Sequence, residues 1–313
     1  MTGQASWYFV NGLQMVLFPT ILILMLGVTP SNYGLAQVSL LAPSIFLIVL
    51  GGTIADKTDT RILLSIVHFL ASLPLLLILL AIQFNFLSFG VMIIYGLAMG
   101  SISAFAIPSR DALLTTISQG DIQKTVVIAM LTQFGFQLTG MVVGGLADIV
   151  GVIPLIIAQG FSLIIGGYFA LRLPKPAIAK APLNIRKIKD EIIEAFIEVR
   201  KSKEIFPVSI SMIMVGLCFM GNNLVTLPYI TTERYGLGAS GFATVSTCFW
   251  LGTFFSNSIL ALNKNLKNWG TALMIAMTSG IPILASLYFD MPFYGLCLII
   301  FMWGGSAGIV IAM

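Results

Sequence analysis

The residues best suited to chemistry sit in a short charged turn, Gly51-Gly52-Thr53-Ile54-Ala55-Asp56-Lys57-Thr58-Asp59-Thr60-Arg61, between two long apolar runs. Asp56, Lys57 and Arg61 suit ion pairing that is made and broken at a membrane surface, and Gly51 and Gly52 permit close backbone approach at the end of the preceding run. Such a turn suggests a gate. A second set of candidates is uncharged and lies inside apolar runs: Asn11 and Gln14, Gln133 and Gln137, and Asn222 and Asn223. Helical spacing puts each of the first two pairs on one face, where they would either line a central cavity with donors and acceptors or hold spans together by interhelical hydrogen bonds.

His68, the single histidine, falls about two turns into the third apolar run and has two readings: a group titrating near neutrality, or a packing residue. No acid lies near the middle of any apolar run. Asp56, Asp59, Asp111, Asp121 and Asp148 are terminal or in loops, Asp148 reading as an exposed loop acid, and Glu233 and Asp290 sit at run ends. A buried carboxylate that carries a proton is therefore not assignable, and the scarcity of charge favours a neutral or amphipathic ligand. The sequence holds no P-loop, no Gly-x-Ser-x-Gly, no His-Glu-x-x-His and no paired carboxylates, so an enzyme is not expected. Cys218, Cys248 and Cys297 lie in apolar runs without CxxC spacing, so no disulfide, metal or cofactor site is expected.

These residues need elements that hold them in a membrane. Of 313 residues, 58% are hydrophobic and 9% charged, with mean hydropathy +1.01, far from the roughly 25% charge of a soluble globule. Apolar runs long enough to cross about 30 Å of hydrocarbon recur throughout. Ten spans are predicted, at 7–27, 33–54, 61–82, 88–114, 126–147, 152–171, 206–229, 241–261, 270–289 and 292–313. Fifteen of the sixteen Lys and Arg fall on one side and only Arg234 on the other, which places the fifteen and the N-terminus in the cytoplasm. The first run has no basic region before it and no small-residue cleavage site, and is read as a retained span. The net charge of +4 implies contact with anionic lipid and no nucleic acid. Trp7 and Trp269 read as interfacial anchors, Trp250 and Trp303 as packing residues. The absence of an Asn-x-Ser/Thr sequon fits a bacterial inner membrane.

Residues 172–205 form the one long connection, Pro-rich at first and then helical in period. Ile185, Ile188, Ile192, Phe196 and Val199 make one stripe, which predicts an amphipathic helix at the cytoplasmic interface. The flanking regions repeat each other. Tyr33-Gly34-Leu35-Ala36-Gln37-Val38-Ser39 recurs as Ser240-Gly241-Phe242-Ala243-Thr244-Val245-Ser246, with Pro19 answering to Pro228 and Lys57 to Lys264. The chain thus divides into an N-terminal six-helix bundle at 1–171, the linker at 172–205 and a four-helix C-terminal bundle at 206–313, a same-orientation repeat. The repeat register ends inside what would be a fourth span of the second half, so two further spans are expected beyond Met313 in an unbroken protein.

On these residues the chain resembles the major facilitator superfamily, and within it the efflux branch of siderophore and macrolide exporters. Gly51-Gly52-x-x-Ala55-Asp56-Lys57-x-x-x-Arg61 is similar to that family's loop between spans 2 and 3, whose charges hold the cytoplasmic side closed. Arg110 is similar to the family's span-4 arginine, the natural partner for Asp56, and reads otherwise as positive-inside anchoring. Gly140-Met141-x-x-Gly144-Gly145 is similar to the antiporter-type glycine motif with Met141 in place of proline, and small residues four apart would equally serve helix packing. The resemblance implies an all-α two-bundle fold with ten of twelve spans present, acting as a monomer. It further implies a transporter that exports a small amphipathic molecule by alternating access, with protons as coupling ion. The competing reading is an inactive or regulatory membrane scaffold.

Overall fold

The computed structural model describes residues 2–117, 122–173, 197–202, 205–206, 209–210, 221–262 and 288–312, and among them every regular element is helical. In order these are α1 (Thr2–Pro19) running into a π turn (Thr20–Met25), α2 (Pro30–Lys57), α3 (Thr60–Gln83), α4 (Phe89–Ile117), α5 (Ile122–Gly145), the short α6 (Ala147–Val150) and α7 (Val152–Leu171). After them come a second π turn (Asn222–Thr226) leading into α8 (Leu227–Glu233), α9 (Ala239–Leu262) and α10 (Phe293–Ala312). Six described helices, all in the first 171 residues, are long and apolar enough to cross a membrane, and their bounds follow the predicted spans. The predicted interfacial helix in the linker and the ninth span lie largely outside the described residues.

Helices are the outcome because hydrocarbon offers backbone N–H and C=O groups no partner, so each segment must satisfy its own. Start signals come from short polar side chains. Thr29 caps α2 ahead of Pro30, its hydroxyl accepting from the Asn32 N–H at 3.4 Å, and Asp59 caps α3 through the Arg61 N–H at 3.1 Å.

The bundles are assembled by close approach. The α1 span is central, 72% buried, whereas the α2 span is 17% buried and exposes Ile45 and Phe46. α1 packs on α5 and α7, α2 on α4, α3 on α4 and α7, and α9 on α10. Glycine sets these distances. A methyl on Gly140 would lie 2.2 Å from the Phe9 carbonyl oxygen, and one on Gly51 would lie 2.2 Å from that of Ala104. The repeat is visible in the same contacts: Gly96 and Gly100 seat α4 on α2, and Gly304 and Gly308 seat α10 on α9. One buried apolar cluster runs through α1, α2, α3, α4, α5 and α7 and takes in Ala239, Phe242 and Ala243 of α9, and a second is confined to α8, α9 and α10.

Two glycines of the charged turn separate sharply here. Gly51 faces α4, whereas a methyl on Gly52 meets nothing within 4 Å. Gly51→Ala is expected to force α2 off α4 at a cost of about 1–3 kcal/mol. Gly52→Ala should be neutral or gain up to about 1 kcal/mol of helix propensity. Thermal unfolding of the two variants in the same detergent checks the contrast.

Candidate functional site

The charged turn closes on its own half. Arg61 donates through Nε and Nη2 to Asp59, at 3.0 and 2.6 Å, and through Nη1 to the Leu173 carbonyl oxygen at 3.0 Å just beyond α7. It thereby staples the start of α3 to the end of α7, with both charged side chains 13% exposed. The bond from Arg61, helped by the Arg61 and Ile62 backbone N–H groups, holds the Asp59 carboxyl below the usual carboxylate range against the opposing effect of desolvation. Asp56 projects into solvent from the last turn of α2 and bonds to no described residue.

Arg110 does not meet Asp56. Its guanidinium bonds Asp111 at 3.0 Å and the Tyr8 hydroxyl, with its carbon 5.0 Å from the Tyr8 ring centroid. The physical reason is proximity: Asp111 is the next residue, and α1 presents Tyr8 alongside. Arg110 therefore ties α4 to α1 within the first half.

His68 is fully buried, its Nδ1 2.8 Å from the Leu64 carbonyl oxygen and its Nε2 3.0 Å from that of Gly3. It pins the start of α1 to α3. Trp7 packs edge-on against it at 5.3 Å and is 6% exposed, which corrects the expectation of an interfacial anchor. An indole that is hydrogen-bonded or ring-stacked inside a bundle leaves the same trace in sequence as one at the headgroups. Trp269 lies outside the described residues.

The uncharged candidates do not converge on one cavity. Gln14 lines a small pocket between α1, α3, α4 and α7, inside the first half, together with Phe18, Met92, Tyr95 and Gln159. Gln159 donates to the Val10 carbonyl oxygen at 3.1 Å. Asn11 and Gln133 are half-buried, and the Gln137 amide lies 3.6 Å from the Met15 sulfur, a weak contact that joins α5 to α1. Asn222 and Asn223 fall in the second π turn, and the buried Asn223 Nδ2 has no hydrogen-bond partner among the described residues. Gly140 and Gly144 pack α5 on α1, while Gly145 packs it on Ala243 of α9.

Among the described residues, polar contacts between the halves lie at the end of the molecule opposite Asp59. The Tyr229 hydroxyl donates to the Val28 carbonyl oxygen at 2.6 Å, and its ring meets Tyr33 edge-on at 5.8 Å. Asp148 is exposed but not free, because its two carboxylate oxygens accept the Ala239 and Ser240 N–H groups at 2.9 and 2.8 Å. Nearer mid-depth, Phe134 of α5 meets Trp250 and Phe254 of α9 at 6.2 and 5.4 Å. None of Tyr33, Tyr95 and Tyr229 was singled out by sequence, although Tyr33 opens the repeated segment and Tyr229 follows the repeat-related Pro228.

Comparison with known proteins places this geometry. A family model described as Major Facilitator Superfamily matches residues 1–313. Among solved structures, the nucleoside transporter NupG matches with a TM-score of 0.76 at 16% identity, covering 99% of this chain and 80% of that one. A bacterial homolog to the human lysosomal transporter Spinster, in an inward-facing and unoccupied conformation, matches with a TM-score of 0.69 at 15% identity, covering 98% and 73%. A D-xylose–proton symporter matches with a TM-score of 0.63 at 10% identity, covering 99% and 79%. No curated protein matches significantly.

The Asp59–Arg61 staple gives a pH expectation. A carboxyl whose folded-state pKa is depressed contributes stability above its unfolded pKa, about 3.9, and loses it as pH falls through the lower folded value. Asp59→Asn is expected to lower thermal stability relative to wild type at pH 7, and the gap should close below about pH 4. A gap that stays constant down to pH 3 would show that the carboxylate charge is not what holds the turn.

Proposed function

The chain belongs to the major facilitator superfamily along residues 1–313, and from that membership we propose that it is a secondary active transporter. In this reading it exports a small amphipathic molecule by alternating access, driven by the proton gradient. That it is a multi-pass membrane protein of a transporter family is the premise; direction, substrate class and coupling ion are the proposal.

The observation that carries the reading is an interruption in each half. In the described residues each half begins with a helix that holds a proline and a π turn, Thr20–Met25 just after Pro19 and Asn222–Thr226 just before Pro228, so the two turns lie near one another in the repeat but several residues out of register. Interrupted helices at corresponding positions of two repeats are where such proteins expose backbone and polar groups to a transported molecule, and π turns concentrate at functional sites. In the second of these turns the buried Asn223 amide lacks a partner among the described residues, and on α9 so does the Thr247 hydroxyl. A buried donor left unsatisfied is costly, so a molecule that bonds to it is favoured there. The aromatic contacts of Phe134, Trp250 and Phe254 between α5 and α9 suit an apolar body. This combination supports an amphipathic substrate over a strongly ionic one.

The proposal assigns Asp56, Lys57 and Arg61 to the cytoplasmic gate, with Gly51 and Gly52 on the helix that carries it and Arg110 supporting it through α1. Of the uncharged candidates, Asn11, Gln133 and Asn223 are the polar groups offered to substrate, while Gln14 and Gln137 serve packing within the first half. It also takes a bacterial inner membrane, a cytoplasmic N-terminus and a monomer as the working arrangement.

Two measurements test this. An efflux screen of the full-length protein in everted vesicles, against neutral, amphipathic and ionic compounds, should find transport in the amphipathic class that stops when the pH gradient is collapsed. Transport indifferent to that collapse would exclude proton coupling. Asp56→Asn is expected to lower the transport rate at least about tenfold, the factor for about 1.4 kcal/mol of gate stabilisation; an unchanged rate removes Asp56 from the gate.

A further inference from the structure

We infer that Asp148 is a releasable latch between the two halves, holding them together at the end opposite Asp59 by capping α9 from across the interface. The first four N–H groups of a helix have no partner within it, and the residue just ahead of the helix usually supplies an acceptor. At α9 that position is Gly238, which has no side chain to offer. The acceptor comes instead from 91 residues away: Asp148 Oδ1 takes the Ala239 N–H at 2.9 Å and Oδ2 takes the Ser240 N–H at 2.8 Å. Gly238 is also what admits it, since a methyl there would lie 2.6 Å from Asp148 Oδ1.

Three features make this a latch rather than a permanent joint. The carboxylate is exposed, so its bonds can be exchanged for water without burying an unpaired charge. It is held by two backbone amides and the Ser240 side chain, all in the first turn of α9. Arg234, five residues ahead of Ala239, donates to the Phe289 carbonyl oxygen at 3.1 Å and lies 3.9 Å from Asp290. Finally, the short α6 that carries Asp148 follows a break at Leu146, and the adjoining Gly145 touches Ala243 of α9, so latch and close contact share one small patch. If the halves rock about a central site, the bonds at this end must break when that end opens.

The inference rests on the alternating-access reading above, and one experiment separates the two. In the full-length protein with Cys218, Cys248 and Cys297 replaced, spin labels at Phe86→Cys and Tyr288→Cys report the separation of the halves at the Asp148 end; both positions are exposed. In lipid nanodiscs the parent protein should show a short and a long distance. Asp148→Ala should raise the ratio of long to short about fivefold, the factor corresponding to loss of one helix cap. Gly238→Ala, which keeps the acid but fills its seat, should do the same, and Asp290→Asn at the same end should change nothing. Should Asp148→Ala fold poorly, Gly238→Ala carries the test alone. Two distances with ratios unmoved by either variant would overturn the latch. A single distance in the parent at every pH would overturn the rocking itself.

Discussion

In hydrocarbon an apolar side chain gains nothing by turning from lipid to protein, so helices must be held by close fit and by the few polar bonds available. The rest of this structure depends on that constraint. It explains why glycine sits where α1 meets α5, where α2 meets α4 and where α9 meets α10: each glycine removes the one atom that would keep two backbones apart. It also explains why many described polar side chains in the spans are spent on a backbone carbonyl, as with His68 on Gly3 and Gln159 on Val10. Polar groups in such a setting are structural unless something leaves them unmatched.

Polar bonds of two kinds follow from where they fall. Within the first half, Arg61 with Asp59 and Leu173, Arg110 with Tyr8, and His68 with Gly3 tie α1, α3, α4 and α7 together. Between the halves, the described polar bonds are fewer: Tyr229 to Val28 and Asp148 to the start of α9. Apolar packing also crosses between them, since the cluster of the first half takes in Ala239, Phe242 and Ala243 of α9, and the π turn Asn222–Thr226 lies against α2.

Much of the fold was legible because its determinants are local. A span needs about twenty apolar residues whatever it packs against, so the bounds of the first six helices could be read directly, and a shared offset of Tyr33 and Ser240 segments announced the repeat. The charged turn was legible as a place but not as a set of partners. Asp59 rather than Asp56 took Arg61, because it sits at the cap of α3 and two residues from the guanidinium. The spacing of Asn11 and Gln14 allowed either cavity lining or contacts that hold spans together, and Gln14 faces the interior of its own bundle because α1 is surrounded there.

Sequence by itself determined that this chain crosses a membrane repeatedly, that it is built as two related halves, and where its charges must surface, because lipid solvation acts on each segment independently. Only the tertiary structure decided what those charges do. Arg110 met Tyr8, Trp7 met His68, and Asp148 became the cap of a helix 91 residues away. Hydrogen bonds reach only about 3 Å, so a polar side chain serves whichever group the packing brings within that distance, and packing is a property of the assembled helices rather than of any one of them.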